Sequence, residues 1–304
     1  MRALAAIPRV LTPLALLAAG LALIIPSGAV AARSDLLLAL LVLATALGIS
    51  FADLRRLRDH ASEVAFLSVA PLVALGALAW VIGRPFAPPV RDGLLAVGLA
   101  SSEIASVGLV ALARADATIA LGAVSGSLVA SALIGPLAIG ALAGASAHGN
   151  PGPLLARFSL VVIVPLIAGV AIRSRWPRIA GADPEREGVA ALTVAVLIYA
   201  ALSGTHGAHH LAAALLASVA FLAVSAALAE LWRRRASAAT AVPGALTIAM
   251  RDFAVAAALA TQAFGTRAGA VPGVYGVVML VGGTIAAGRV ERVGRGSPPA
   301  ARAP

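Results

Sequence analysis

The sequence predicts an all-α membrane protein with ten transmembrane helices, built as an inverted 5+5 repeat with two discontinuous crossing helices at spans 4 and 9. Three observations predict it. Apolar residues make up 61% of the 304 and charged residues only 12%, with a mean hydropathy of +0.98, which leaves too little polar surface to cover a water-soluble globule. The apolar residues fall into ten runs of about the length a bilayer requires, ~20 residues. Two of those runs, "SSEIASVGLVALA" (101–113) and "MRDFAVAAALATQ" (250–262), carry ionisable residues within otherwise small-residue stretches.

In chain order the spans are expected over 9–30, 36–52, 64–83, 93–113, 117–144, 153–172, 188–203, 209–232, 241–264 and 270–288. Residues 1–152 form the first five-helix repeat, 153–290 the second and inverted one, and 291–304, ending "RVGRGSPPAARAP", a disordered cytoplasmic tail. The Ala, Gly, Leu and Val that dominate the spans suit close helix packing in lipid. An even number of spans puts both termini on one side, and the arginines test that. With the termini inside, 17 of them (Arg2, Arg9, Arg55, Arg56, Arg58, Arg114, Arg173, Arg175, Arg178, Arg186, Arg233, Arg234, Arg235, Arg289, Arg292, Arg295, Arg302) face the cytoplasm, and five (Arg33, Arg84, Arg91, Arg157, Arg267) face out. This is a positive-inside asymmetry, and it places the chain in the plasma membrane with both ends cytoplasmic. The opening "MRALAAIPRV…AVAA" also has the outline of a signal peptide. Its apolar run is too long for a signal core, and removing it would strand the tail on the wrong side, so span 1 is expected to be retained.

The net charge of +10 resides in short loops, so the arginines are read as topology signals and no nucleic-acid partner is expected. No Cys is present, which excludes thiol catalysis and thiolate ligands. An intramembrane enzyme would need a nucleophile with its base, or a metal set, and no such spacing occurs. A channel would need a continuous polar stripe, whereas the polar groups here gather at one depth. A carrier is the remaining class.

Sliding the chain by 149 residues sets Ser102-Glu103-Ile104-Ala105 over Arg251-Asp252-Phe253-Ala254. Each stretch lies fourth in its set of five spans and runs in the opposite direction to the other, as an inverted repeat requires. Coincidence among Ala-rich helices is the competing explanation. A charged side chain at the bilayer centre costs about 2.5–3.5 kcal/mol, so Glu103, Arg251 and Asp252 must face protein, water or one another. Ser101 and Ser102 precede Glu103, and Pro243 and Gly244 precede Arg251, where they can disturb the first turns of span 9. Backbone broken at mid-membrane is tolerated where it lines a polar cavity, and half-helix N-termini favour an anion there. The expected substrate or ion site therefore comprises Ser101, Ser102, Glu103, Ser106, Ser125, Thr247, Arg251 and Asp252, with Arg251 reading an anionic group and Glu103 or Asp252 titrating. A Glu103–Arg251 ion pair that merely locks two spans together is the structural alternative.

The stretch "IASVGLVALARADATIAL" is similar to the span 4–5 region of the bile acid:sodium symporter family, which reads roughly S-N-x-x-T-x-L-A-x-G-N/D-x-A-L-S. "TIAMRDFAVAAALATQAFG…VPGVYGVVML" resembles its span 9–10 region, E-x-G-x-Q-N-x-x-L-A, and "FLSVAP" stands where relatives have Q-x4-P. The resemblance implies a panel of spans 1, 2, 6 and 7, a core of the other six in which spans 4 and 9 unwind and cross, and alternating-access transport of a small organic anion with sodium. The chain departs from the family where side-chain oxygens hold sodium. Phe66 stands for a Gln, Val107 for an Asn, Ala120 and Val124 for Ser and Thr, Thr247 for a Glu, Arg251 for a Gln and Asp252 for an Asn. Sodium takes hard oxygen ligands and a nearby guanidinium opposes it, so protons are the rival coupling ion. No cofactor is expected beyond sodium in that role. A cation/proton antiporter of similar architecture is the alternative function. Arsenite export is not expected, since related exporters depend on a Cys in span 4.

The remaining polar residues have plainer readings. Ser127 and Gln262 read as core lining or interhelical glue. Asp116 caps span 5, and Glu230 with Arg233, Arg234 and Arg235 snorkels at the surface. Trp80, Trp176 and Trp232 read as interface anchors. His206, His209 and His210 form a loop cluster with metal-binding composition.

Overall fold

The computed structural model describes residues 11–143, 151–176, 183–203 and 208–296. They form helices α1 (Leu11–Ile24), α2 (Gly28–Ala31), α3 (Ser34–Ala46), α4 (Phe51–Arg56), α5 (Ala61–Gly83), α6 (Pro88–Leu99), α7 (Ala105–Leu112), α8 (Ala117–Ala143), α9 (Pro151–Arg175), α10 (Asp183–Leu202), α11 (Ala208–Arg235), α12 (Ala238–Ala249), α13 (Phe253–Phe264) and α14 (Thr266–Gly296), with a 3-10 turn over Leu57–His60. Among the described residues no strand forms. Four stretches, Phe51–Gly83, Ala117–Ala143, Pro151–Arg175 and His209–Arg235, are long and apolar enough to cross a membrane, and five shorter apolar helices accompany them.

Local chemistry sets the boundaries. Ser50 and Asp53 close a capping box at the start of α4, satisfying two N–H groups reciprocally. Pro88 opens α6, where a missing N–H costs nothing. Asp116, expected to cap span 5, accepts from the Thr118 N–H at 2.8 Å. Gly265 follows α13 at φ 88°, a conformation only glycine adopts without strain, and the chain turns there into α14. That last helix runs to Gly296. Residues 297–304 lie outside the described residues.

Two layers result. Helices α1, α3, α9 and α10 pack on one another, and α5, α6, α8, α11, α12, α13 and α14 form a second, more buried group. The expected spans 4 and 9 are each broken, at 100–104 between α6 and α7 and at 250–252 between α12 and α13. Pro243-Gly244 does not make the second break: Pro243 lies within α12, and a Cβ on Gly244 would collide with the indole of Trp232. The pair provides space for Trp232, whose Nε1–H donates to Thr240 O at 3.1 Å and whose ring stacks on Phe66 at 5.5 Å. Trp232 is therefore a packing residue and not only an interface anchor.

The two broken helices are not packed alike. Half-helix α13 packs chiefly on α14 and α6 and also touches α3, α9 and α10, whereas α7 packs chiefly on α8 and α12. Phe253–Ala260 are buried throughout, while Gly108 and Ala111 of α7 are exposed and a Cβ on Gly108 would meet nothing within 4 Å. By contrast a Cβ on Gly98 in α6 would sit 2.5 Å from Leu75 O and 2.9 Å from Gly76 Cα. Gly98→Ala is expected to destabilise by about 1–3 kcal/mol through overpacking, lowering the melting temperature in detergent. Gly108→Ala is expected to leave it unchanged or raised.

Candidate functional site at the helix crossover

Residues 101–103 and 250–252 run past one another as a short antiparallel pair, with Ser102 opposite Arg251. The Glu103 N–H donates to Met250 O at 3.0 Å and the Asp252 N–H to Ser101 O at 2.8 Å. Ser102 and Arg251 are 149 residues apart, and this offset carries the first hydrogen bond onto the second. The crossover is therefore two-fold symmetric in its backbone, with the axis between Ser102 and Arg251.

Ser102 and Arg251 form the type of opposed pair whose own N–H groups point away from the partner strand, and neighbouring helices satisfy them. The Ser102 N–H donates to Ser127 Oγ of α8 at 3.0 Å, and the Arg251 N–H to Tyr275 Oη of α14 at 3.1 Å. Ser131, one turn beyond Ser127, donates to Leu99 O at 2.8 Å. The Arg251 guanidinium donates to Ala100 O and, at 3.4 Å, to Ser102 Oγ. Broken backbone in a low-dielectric interior is thus paired group by group, as it must be.

Charges sit where the half-helix dipoles favour them. Asp252 Oδ1 accepts from the N–H groups of Ala254 at 2.9 Å and Val255 at 3.0 Å, capping α13. Glu103 holds the matching place before α7, where Ser106 Oγ donates back to Glu103 O at 2.6 Å. Arg251 holds the negative C-terminal end of α6. Extended backbone alternates its side chains, so Ser101, Glu103, Met250 and Asp252 share one face and Ser102 and Arg251 the other. The acidic face is the less buried: Glu103 is 6% exposed and Asp252 partly so, whereas Arg251 is 0% exposed. Ser101 Oγ, Glu103 Oε2 and Arg251 Nε make no hydrogen bond within the protein.

The expected site residues divide accordingly. Ser101, Ser102, Glu103, Ser106, Arg251 and Asp252 come together. Thr247 lies within α12 and turns its hydroxyl to Pro243 O and Gly244 O; Ser125 donates to Leu121 O of its own helix. Ser127 and Ser131, not Ser125, reach the break. Tyr275, like Ser131, is a residue that sequence reasoning missed. Its signal was one of the chain's two tyrosines lying inside the apolar run of span 10. Of the histidines, His206 lies outside the described residues and His210 Nε2 lies 3.2 Å from Arg267 O. Among the described residues no group of three or more His, Cys, Asp or Glu could hold a metal.

The family model for SBF-like CPA transporters matches residues 50–272, well over half of the chain and inclusive of both breaks. The chain belongs to this family of membrane transporters. The resemblance to bile acid:sodium symporters carried by the span 4–5 and 9–10 stretches is thereby shown. No curated protein matches the chain. For this transporter the crossover is the region with the most buried polar side chains, and membership gives no sign of catalysis.

Tyr275→Phe removes the acceptor of the Arg251 N–H and is expected to destabilise by about 1–3 kcal/mol, the cost of a buried unpaired donor. Ser125→Ala leaves the crossover intact and is expected to melt as the unaltered protein does, in the same detergent assay.

Proposed function

We propose that the chain is a secondary active transporter of the plasma membrane, with ten spans in an inverted 5+5 repeat and cytoplasmic termini, and that its acidic crossover face takes up and releases a proton or small cation by alternating access. The observation that carries this reading is the placement of Glu103 and Asp252 on one face, symmetry-related and beside the unpartnered Ser101 hydroxyl, while the Arg251 guanidinium is turned to the opposite face. Two carboxylates sharing a poorly solvated site repel one another, and a bound proton or sodium ion relieves the repulsion. Arg251 supports α6 in place of a ligand, because its guanidinium already binds Ala100 O and Ser102 Oγ.

The packing asymmetry supports a cycle. With α13 resting on α3, α9 and α10 and α7 standing clear, the face is shielded along α13 and approachable along α7. On the proposed orientation α7 is the cytoplasmic half, so in this reading the packing corresponds to an inward-facing state, and exchanging the roles of α7 and α13 gives the outward-facing one.

A second reading, a small organic anion carried together with a proton, is favoured by the free donor Ser101 Oγ–H on the acidic face. Protonating Glu103 would remove the negative charge that repels such an anion. Both readings give Glu103 the proton.

Sodium-loaded proteoliposomes containing an internal pH dye and diluted into sodium-free buffer are expected to acidify as sodium leaves and protons enter. Glu103→Gln is expected to slow this at least about tenfold, equivalent to about 1.4 kcal/mol. Acidification that requires external small carboxylates and ignores sodium would establish the anion reading instead. Glu103→Gln vesicles that move protons as fast as unaltered ones would refute both.

A further inference from the structure

Away from the crossover, one carboxylate joins three helices. Asp35, in the first turn of α3, accepts from Arg157 of α9 at 2.6 Å through Nη2 and 2.9 Å through Nε, both at Oδ2. Its other oxygen, Oδ1, accepts from Gln262 Nε2 of α13 at 2.8 Å. Asp35 and Arg157 belong to the layer of α1, α3, α9 and α10, and Gln262 to the half-helix that carries Asp252 at its opposite end. Ten residues of straight helix, about 15 Å, therefore connect the acidic face to this carboxylate. Small and apolar side chains pack α13 on all sides between them.

Sequence makes this contact one-sided. Under the 149-residue offset, Gln262 corresponds to Ala113 and Asp35 to Pro184. Neither can form the equivalent hydrogen bond at the end of α7, the half-helix that stands clear.

We propose that Asp35, Arg157 and Gln262 form a latch that holds α13 against the outer layer, so that breaking the Asp35–Gln262 hydrogen bond is the step that opens the acidic face on the α13 side. Arg157 fixes the carboxylate through two donors and leaves Oδ1 directed at α13. The amide is neutral, so the bond can break without stranding a second charge in a buried position, as releasing an Arg or Lys partner would. Gln262 and Asp35 are positioning residues that set the balance between the two conformers and touch no cargo. The inference rests on the alternating-access reading above.

The chain's lack of Cys makes the test direct. Single substitutions Gly108→Cys on α7 and Ala258→Cys, one turn from Gln262 on the same face of α13, report the two sides in oriented vesicles through a membrane-impermeant maleimide. Gln262→Leu and Gln262→Glu are each expected to raise Ala258→Cys labelling about tenfold and to lower Gly108→Cys labelling. A hydrogen bond to a charged group is worth a shift of this size. Asp35→Asn combined with Gln262→Glu exchanges donor and acceptor and is expected to restore the original labelling, which a variant that merely misfolds would not do. Labelling that stays within about twofold in both single variants, or a double variant that labels like Gln262→Glu alone, overturns the latch. Proton movement is read separately in the same vesicles. Its absence in the unaltered protein would sink the acidic-face reading while labelling shifts on both sides kept the latch.

Discussion

Everything at the centre of this protein depends on pairing two pieces of interrupted backbone with each other. A helix satisfies its own N–H and C=O groups; a break exposes them, and an interior that excludes water offers no substitute partner. Here each break supplies what the other lacks, through Glu103 N–H to Met250 O and Asp252 N–H to Ser101 O. The groups pointing away from the pair need third parties, and these come from α8 and α14, the helices that come next in the chain after α7 and α13. Ser127 and Tyr275 are chemically different, but each supplies a hydroxyl oxygen to the outward N–H of the strand beside it.

The charges follow from that frame. Interrupting two helices creates four half-helix ends at one depth, with partial positive charge at the starts of α7 and α13 and partial negative charge at the ends of α6 and α12. Asp252 and Glu103 occupy the two starts. Arg251 occupies the end of α6, and Met250 O at the end of α12 is satisfied by the crossing strand. Alternation along three extended residues then separates the charges: the two carboxylates lie on one face and the fully enclosed guanidinium on the other.

Much of this was legible in the sequence, and the limits are instructive. The spacing of Glu103 and Asp252 at a common offset, in stretches otherwise made of small residues, located both breaks, because an ionisable residue in such a stretch has few physical explanations. Pro243-Gly244 misled about where the second break falls. A proline early in a helix removes few bonds, and the glycine serves the bulk of Trp232. Side-chain direction was the part least readable. Arg251 suggests an anion site as a letter in a sequence and a helix support as a placed side chain, and only strand register distinguishes them. Carbonyl acceptors such as Ala100 O and Met250 O are invisible to any reading of residue types, so Ser125 could not be told from Ser127.

A symmetric frame carrying asymmetric side chains also bears on which half-helix is held. The backbone hydrogen bonds at the crossover are the same viewed from either side and cannot favour one half-helix over the other. Preference must come from residues that break the symmetry, and these lie where α13 meets the layer of α1, α3, α9 and α10. Gln262 reaches Asp35 there, whereas α7 ends at Leu112 and the residue that follows, Ala113, has no side-chain group to make such a bond. A carrier needs its two states within a few kcal/mol of each other, or one is never visited. One hydrogen bond to a charged group is about the right size to bias such an equilibrium without freezing it, and that suits a contact placed at the far end of a rigid helix from the acids it serves.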